Sequence, residues 1–405
     1  MDLTSFEPSR DAGLARLDGF VNAAGRHYQN TRNSDLGPAD RSNVSALSPY
    51  IRHRLVTEEE VLRAVLVRHS PAAAEKFIQE VFWRTYFKGY LETRPLIWTN
   101  YQNALKVLEL EGGLLKVCKA AMAGRTGIEC FDAWVTELKD VGYLHNHTRM
   151  WFASIWIFTL RLPWELGADF MYRHLLDGDP ASNTLSWRWV AGLHTIGKTY
   201  LARADNIATY TKGRFSPTGL AQHAVALEEP SPAPVQKIRP APESCSGGKI
   251  GLLLTEEDLQ SETWNMKDVD IAAIAGAISV AARSAFPVSE RVTEFTGVAL
   301  ADGVRRATQK FKAPSQILHS LALDPILAWT KAHGLKTIVT AYAPVGPVAL
   351  QLVHLTVDLK AQGIVLVQLR RAFDTAAWPH GSKGFFAMKV KIPALLQMVC
   401  QNENF

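Results

Sequence analysis

Between residues 227 and 248 the chain changes character. The segment LEEPSPAPVQKIRPAPESCSGG is dominated by proline, serine and charge. Such a composition makes an exposed connection rather than part of a core. The sequence on its two sides follows different periodicities, so no single-layer fold accommodates both. Residues 1–226 form one unit, 227–248 the linker and 249–405 a second unit. A length of 405 residues with 47% apolar and 20% charged residues suits two globular domains.

The first unit is helical in pattern. Thr57 followed by three glutamates reads as a helix start. Ala72–Leu91, Leu105–Met122 and Ile128–Leu138 carry apolar residues at helical intervals. Eight of the eleven tryptophans lie here, and a tryptophan stripe is more often core than chemistry. In the second unit, strands are expected at Lys249-IGLLLT, Gly297-VAL, Leu335-KTIVTAY and Gly363-IVLVQL. Helices are expected at Asp268–Arg283, Pro325–His333 and Val345–Gln362. This alternation predicts a parallel, doubly wound α/β layer. The fold class is therefore multi-domain, an all-α domain followed by an α/β domain.

Charge and cysteine content narrow the function classes. A net charge of +5 permits a polyanionic partner without requiring one. Basic and acidic residues nearly balance over residues 1–225, so a nucleic-acid site must come from placement of charge. Cys118, Cys130, Cys245 and Cys400 have no CxxC spacing, and reduced thiols in a cytoplasmic protein without a metal site are expected. The start MDLTSFEPSRDAG lacks a charged-then-apolar leader. The most apolar run, Trp151–Trp164, is interrupted by Arg161 and Pro163 and is too short to span a bilayer. A soluble protein with no membrane partner is expected.

Three segments of the first unit hold unusual residues. They are Tyr28-QNTRN with Ser45-Ala-Leu-Ser-Pro-Tyr50, then Phe77-IQEVFWRTYF, and then Tyr143-LHNHTRMW through Asp177-GDPASNTLSWRW. Ser45 and Ser48 could cap a helix or bind an anion such as a diphosphate. Arg149 and Asp177 could pair in a buried site, an arrangement that tends to mark a ligand or a switch. Asn183 is a neutral amide able to face a cofactor ring. Glu80 and Arg84 stand four apart on one helix face and could simply pair.

In this order and spacing the segments resemble the flavin-binding domain of DNA photolyases and cryptochromes. The resemblance runs through Tyr28, Arg32-Asn33, Ser45-x-Leu-Ser-Pro-Tyr, Glu80-x-x-Trp-Arg, Phe131-Asp-Ala, His145-Asn-His-x-Arg-Met and Asp177-Gly-Asp-x-x-x-Asn with Trp187 beyond. It covers about half the chain. It implies FAD held in a U-shape inside a helical domain. Tyr28, Ser45, Ala46, Leu47 and Ser48 match positions that grip its phosphates. Phe77 and Arg84 match residues beside it. Arg149 and Asp177 match the ion pair packed on the flavin ring, and Gly178 and Asp179 belong to the same turn. Asn183 matches the residue facing flavin N5, where an amide is typical of repair enzymes.

On the substrate side, Glu80 and Trp83 match residues that hydrogen-bond and stack on a flipped pyrimidine dimer. Asn146 and Met150 match the pattern of enzymes for cyclobutane dimers rather than (6-4) photoproducts. Arg32 matches a phosphate-contacting position, and His147 is read as a structural or DNA-backbone contact. Trp187 and Trp164 match the inner and middle tryptophans of the family's electron-transfer chain. The outer member is open among Trp98, Trp151 and Trp156.

The layout departs from the family, in which an α/β antenna domain precedes the flavin domain. Here an α/β segment follows it. Ile250-GLLLTEEDL and Asp374-TAAWPHGSKGFFAMKVKIP resemble the beginning and end of that antenna domain, which implies a circular permutation. An unrelated α/β domain is the alternative, and no residues mark a second chromophore. Two functions follow from the resemblance. One is a photolyase acting on UV-damaged DNA. The other is a cryptochrome-like photoreceptor without repair.

Overall fold

The computed structural model describes residues 6–109, 112–229 and 231–401. The start of the N-terminal segment, the middle of the Leu105–Met122 pattern, Pro230 of the linker and the final residues lie outside the described residues.

The helical expectations hold with shifted ends. Thr57 caps Glu58–Arg68 through a full capping box, its Oγ1 accepting from Glu60 N at 3.2 Å while Glu60 Oε2 accepts from Thr57 N at 2.8 Å. The Ala72–Leu91 pattern becomes Glu75–Glu92, and the 105–122 pattern falls on two helices, Leu96–Glu109 and Gly112–Met122. The pattern at 128–138 becomes Glu129–Val141. Further on come Asn146–Ser154, Trp164–His174 and Pro180–Val190. No helix among the described residues is long and apolar enough to cross a membrane.

The second half is built on five parallel strands. They are β1 (Lys249–Leu254), β2 (Asp270–Gly276), β3 (Ser315–Ile317), β4 (Thr337–Ala341) and β5 (Val365–Leu369). Their order is β3-β2-β1-β4-β5. Helices Glu290–Phe311, Leu323–His333 and Pro347–Ala361 make the crossovers. The order reverses between β1 and β4, as in doubly wound folds.

Two sequence expectations fail here. Asp268–Arg283 is not a helix. Its alanines form the inner strand β2, ending in a short 3₁₀ turn at Val280–Arg283. Alanine favours helices in isolation, but a buried seven-residue run between two partner strands is decided by the sheet. Gly297-VAL is not a strand. It lies inside Glu290–Phe311, whose buried positions Val292, Phe295, Ala299, Leu300 and Val304 follow helical spacing. The 227–248 segment is mostly exposed, as expected. It is nevertheless tied down where Gln236 N donates to Thr93 O at 2.7 Å and Arg370 N donates to Pro242 O at 2.8 Å.

The two halves share a core. One apolar cluster joins Leu62, Phe77 and Phe82 to Ile250, Phe373 and Leu396. The backbones also approach closely at Gly89, where an added Cβ would stand 2.5 Å from Trp378 O. Charged groups cross the same boundary. Arg52 pairs with Glu257 at 2.8 Å, and Arg54 pairs with Asp374 at 2.6 Å and Asp258 at 3.3 Å. Arg371 completes the set on Asp258 at 2.6 Å. All of these side chains are buried. Burying ions is costly, and removing one partner from such a group leaves an uncompensated charge at about 3–5 kcal/mol.

Glu59 sits at the edge of this network with 5% of its surface exposed. Burial, reinforced by the negative Asp374 and Glu58 and only partly offset by Arg371 and Arg54, pushes its carboxyl up to about 7. A carboxyl raised in the folded state contributes stability that is complete below its unfolded value of 4.5 and is lost as pH rises through about 7. Glu59→Gln should therefore stabilise the protein at pH 8.5 by about 3 kcal/mol and leave stability at pH 4 nearly unchanged. Urea denaturation at the two pH values measures this.

Candidate functional site

The turn Asp177-Gly178-Asp179 lies at the centre of the site. Asp179 caps helix Pro180–Val190, its Oδ1 accepting from Ser182 N at 2.8 Å, and Pro180 fits the first helical position. Its other oxygen lies 3.4 Å from Arg84 Nη2 and 3.8 Å from Lys88 Nζ. Burial alone would raise this carboxyl. Arg84, Lys88 and Arg52 outweigh burial and hold it well below the usual carboxylate range. The carbonyl of Gly178 accepts from Arg52 Nε at 2.7 Å. Asp177 is buried and accepts from Arg149 Nη2 at 2.8 Å, while the Arg149 side chain keeps 24% exposure. Arg149 Nε also donates to Leu144 O at 2.9 Å, so the guanidinium is oriented from both ends. One helical turn onward, Asn183 Nδ2 donates to Ala168 O at 2.9 Å.

The Tyr28 and Phe77 rings meet edge to face at 5.2 Å, and burial raises the Tyr28 phenol above its usual range. Ala46 is buried at a left-handed φ of 48°, a conformation that costs an L residue about 1–2 kcal/mol. Just beyond it the chain enters Ser48–Arg52. Neither serine caps that helix. Leu47 occupies the cap position without a side-chain bond, and Ser45 Oγ only accepts a 3.4 Å bond from Leu47 N. The simple capping role for the serines is thereby removed.

Glu80 does not pair with Arg84. It forms an ion pair with Arg32, and Arg84 turns to Asp179 and to Glu58, 3.4 Å from each. The reason is tertiary: the Tyr28 segment delivers Arg32 to Glu80 while two buried acids claim Arg84. Trp83 lies flat against Phe385, with centroids 3.7 Å apart and planes 8° apart. Asn146 is exposed and Met150 half-buried. His147 Nδ1 donates to Asn33 O at 2.7 Å, and His145 Nε2 donates to Arg32 O at 3.0 Å. Burial lowers the pKa of both rings. These histidines pin the segment that bears Arg32.

Trp187 is packed edge to face on Trp156, at 6.3 Å. Trp164 stacks on Tyr101 at 5.5 Å, and Tyr101 touches Trp98 at 5.4 Å. Trp151 stacks on Trp134 at 5.7 Å. Of the three candidates for the outer position, Trp156 thus touches Trp187, and Trp98 reaches Trp164 through Tyr101.

Three buried atoms of this shell, Asp177 Oδ1, Ser182 Oγ and Trp187 Nε1, lack a hydrogen-bond partner among the described residues. Buried polar atoms are almost always bonded. Together with the partly open Arg149, they suit a polar aromatic ligand such as a flavin.

Comparison with known proteins agrees. A family model described as the FAD binding domain of DNA photolyase matches residues 77–219. Over about half of its length the chain is similar to the photolyase and cryptochrome family. It carries that family's FAD-binding domain. The deoxyribodipyrimidine photo-lyase of Agrobacterium fabrum is 31% identical over 192 residues, which cover 46% of this chain and 38% of the relative. That of Thermus thermophilus is 31% identical over 238 residues, covering 57% and 54%. The chain thus spans about half, or less, of the length of these relatives. Among solved structures, a class III photolyase from Agrobacterium tumefaciens aligns at TM-score 0.42 and 27% identity, covering 50% of this chain and 43% of that one. A Synechocystis cryptochrome aligns at TM-score 0.43 and 22% identity, covering 51% and 44%.

Arg52, Lys88 and Phe385 are members of this photolyase-type site that escaped sequence reasoning. Arg52 clamps Gly178 from within a motif already noticed, and its position two residues after Tyr50 was the available signal. Phe385 comes from the far end of the chain, and no local pattern could place it on Trp83. Gly167 is a further, silent contributor. An added Cβ there would stand 2.4 Å from Trp187 and 2.8 Å from Trp156. Gly167→Ala should therefore cost about 1–3 kcal/mol through overpacking and shift the tryptophan emission maximum. Denaturation followed by fluorescence measures both.

Proposed function

We propose that this protein is a light-driven DNA photolyase that splits cyclobutane pyrimidine dimers. The reading rests chiefly on one juxtaposition. Glu80 and Trp83 stand on the helix whose next residues, Arg84 and Lys88, hold Asp179 of the central turn. A base-binding carboxylate and a stacking ring therefore adjoin the turn that bears the flavin-facing ion pair.

FAD, when bound, supplies the light-driven electron transfer. Tyr28, Ser45, Ala46, Leu47, Ser48, Phe77 and Arg84 would hold it, with Arg149, Asp177, Gly178, Asp179 and Asn183 along its ring. Fixing the Arg149 guanidinium by Asp177 and Leu144 O spares it reorganisation when charge appears beside it. The dimer must leave the duplex to reach such a site. Glu80, oriented by its ion pair with Arg32, accepts hydrogen bonds from the flipped bases, and Trp83 stacks on them. Asn146 and Met150 line the lesion side. Arg32 and His147 face the phosphates. Trp187 and Trp164 carry electrons inward from the surface. The division at residues 227–248, a permuted antenna origin for the α/β half and action in the cytoplasm belong to the same reading. The sheet order and the acidic turn after β1 packed on Arg52 and Arg54 support the permutation, and four free cysteines suit a reducing compartment.

A cryptochrome-like receptor is the second reading. One observation favours it: Glu80 is engaged by Arg32, and one face of Trp83 by Phe385, both within the chain itself.

The test is repair of a dimer-containing oligonucleotide by photoreduced protein under blue light, with a dark control. Light-dependent dimer loss that falls at least tenfold in Glu80→Ala, with flavin retained, is expected. Absence of repair by flavin-loaded wild type would sink the photolyase reading and leave the receptor.

A further inference from the structure

Phe386 is 84% exposed, and Val390 is 76% exposed. Phe386 follows directly on Phe385, which is buried against Trp83, and Val390 stands four residues further on. From Thr375 to Gln401 the chain contains Lys383, Lys389, Lys391 and His380 but no acidic residue. Lys383 and Lys391 are exposed. Lys389 is 3.0 Å from Glu75, the one acid that reaches the patch through an ion pair among the described residues. Behind the patch, Trp378 packs on Gly89 of the Trp83 helix, and Arg94 Nη2 donates to Ser382 O at 2.9 Å. The short helix Phe385–Lys389 is therefore fixed in place, and it exposes the Phe386 ring between Lys383 and Lys391 in sequence, both of them exposed.

An exposed phenylalanine between unpaired lysines is poorly suited to water. It suits a strand of nucleic acid, whose bases present π-faces and whose phosphates present negative charge at short intervals. We propose that Gly384–Lys391 is a DNA-strand contact of this protein, with Phe386 stacking on an unstacked base and Lys383 and Lys391 binding phosphates. The inference rests on the photolyase reading, because Phe385 places this short helix against Trp83, where that reading puts the lesion. It adds a second aromatic contact from the α/β half, one residue beyond the ring that backs Trp83. A duplex opened to release a dimer exposes bases beside the flipped pair, and Phe386 is placed to take one of them.

The full-length, flavin-loaded protein is tested by fluorescence anisotropy with a labelled single strand and with a duplex bearing one thymine dimer, over a range of salt. Phe386→Ala should weaken both complexes by at least fivefold, and Phe386→Trp should restore them. Lys383→Gln with Lys391→Gln should lower the slope of log affinity against log salt by about 1.4 for the single strand, as two lost phosphate contacts require. Circular dichroism and flavin content should not change, since the altered side chains are exposed. Unchanged affinity and slope in these variants would overturn the proposal. A change of oligomeric state with unchanged DNA binding would overturn it too, by assigning the patch to a protein interface. Repair of the dimer substrate, measured in parallel, separates the two readings. Wild-type repair with variants that bind DNA normally removes only this contact. Weakened DNA binding by the variants in a protein that repairs nothing supports the contact and removes the photolyase reading. A wild type that binds neither DNA overturns both.

Discussion

Arg52 and Arg54 hold this structure together. Both follow the Ser48–Tyr50 turn of the helical half, and both are buried against acids of the α/β half. Isolated charges in such a place would be prohibitive, so neither half is self-sufficient at this surface. Arg52 does more than bridge, because its Nε donates to the Gly178 carbonyl. The turn that presents Asp177 and Asp179 is thus held by an arginine whose own charge is answered by Glu257, beyond the linker. The geometry of the candidate flavin site depends on the half of the chain that contributes none of its proposed cofactor ligands.

This dependence has its physical origin in the parallel sheet. The acidic stretch Glu256-Glu257-Asp258 leaves the carboxyl end of β1, beside the point where the strand order reverses. In doubly wound folds this crevice commonly receives a ligand. Here it receives arginines of the helical half. The C-terminal helices then return across the Trp83 helix, so that the first and last parts of the chain share one apolar cluster.

Much of the site was legible because its parts are local. Asp177 through Trp187 is a single run in which cap, proline and amide sit at helical offsets, and the Arg149–Asp177 pair needed only two neighbouring segments. The helices of the first half were readable for the same reason. What failed was non-local. Glu80 seemed able to pair with Arg84 because they share a helix face, but partners 48 and 95 residues away in sequence decided otherwise. The alanines of β2 looked helical because their sheet neighbours lie elsewhere in the chain. Ser45 and Ser48 looked like caps because a short helix follows them, yet the left-handed Ala46 directs the backbone differently. Phe385 on Trp83 joins residues from opposite ends of the chain and left no trace in either local pattern.

The central claim is that the turn at Asp177–Asp179, clamped by Arg52, Arg84 and Lys88, is the seat of the flavin. The most direct measurement is the FAD released per chain from protein reconstituted in the dark, for wild type and for Asp177→Ala. The account predicts close to one FAD per wild-type chain, and a loss of most of it in the variant with the far-UV circular dichroism unchanged. Equal flavin content in the two proteins, or none in either, would contradict it.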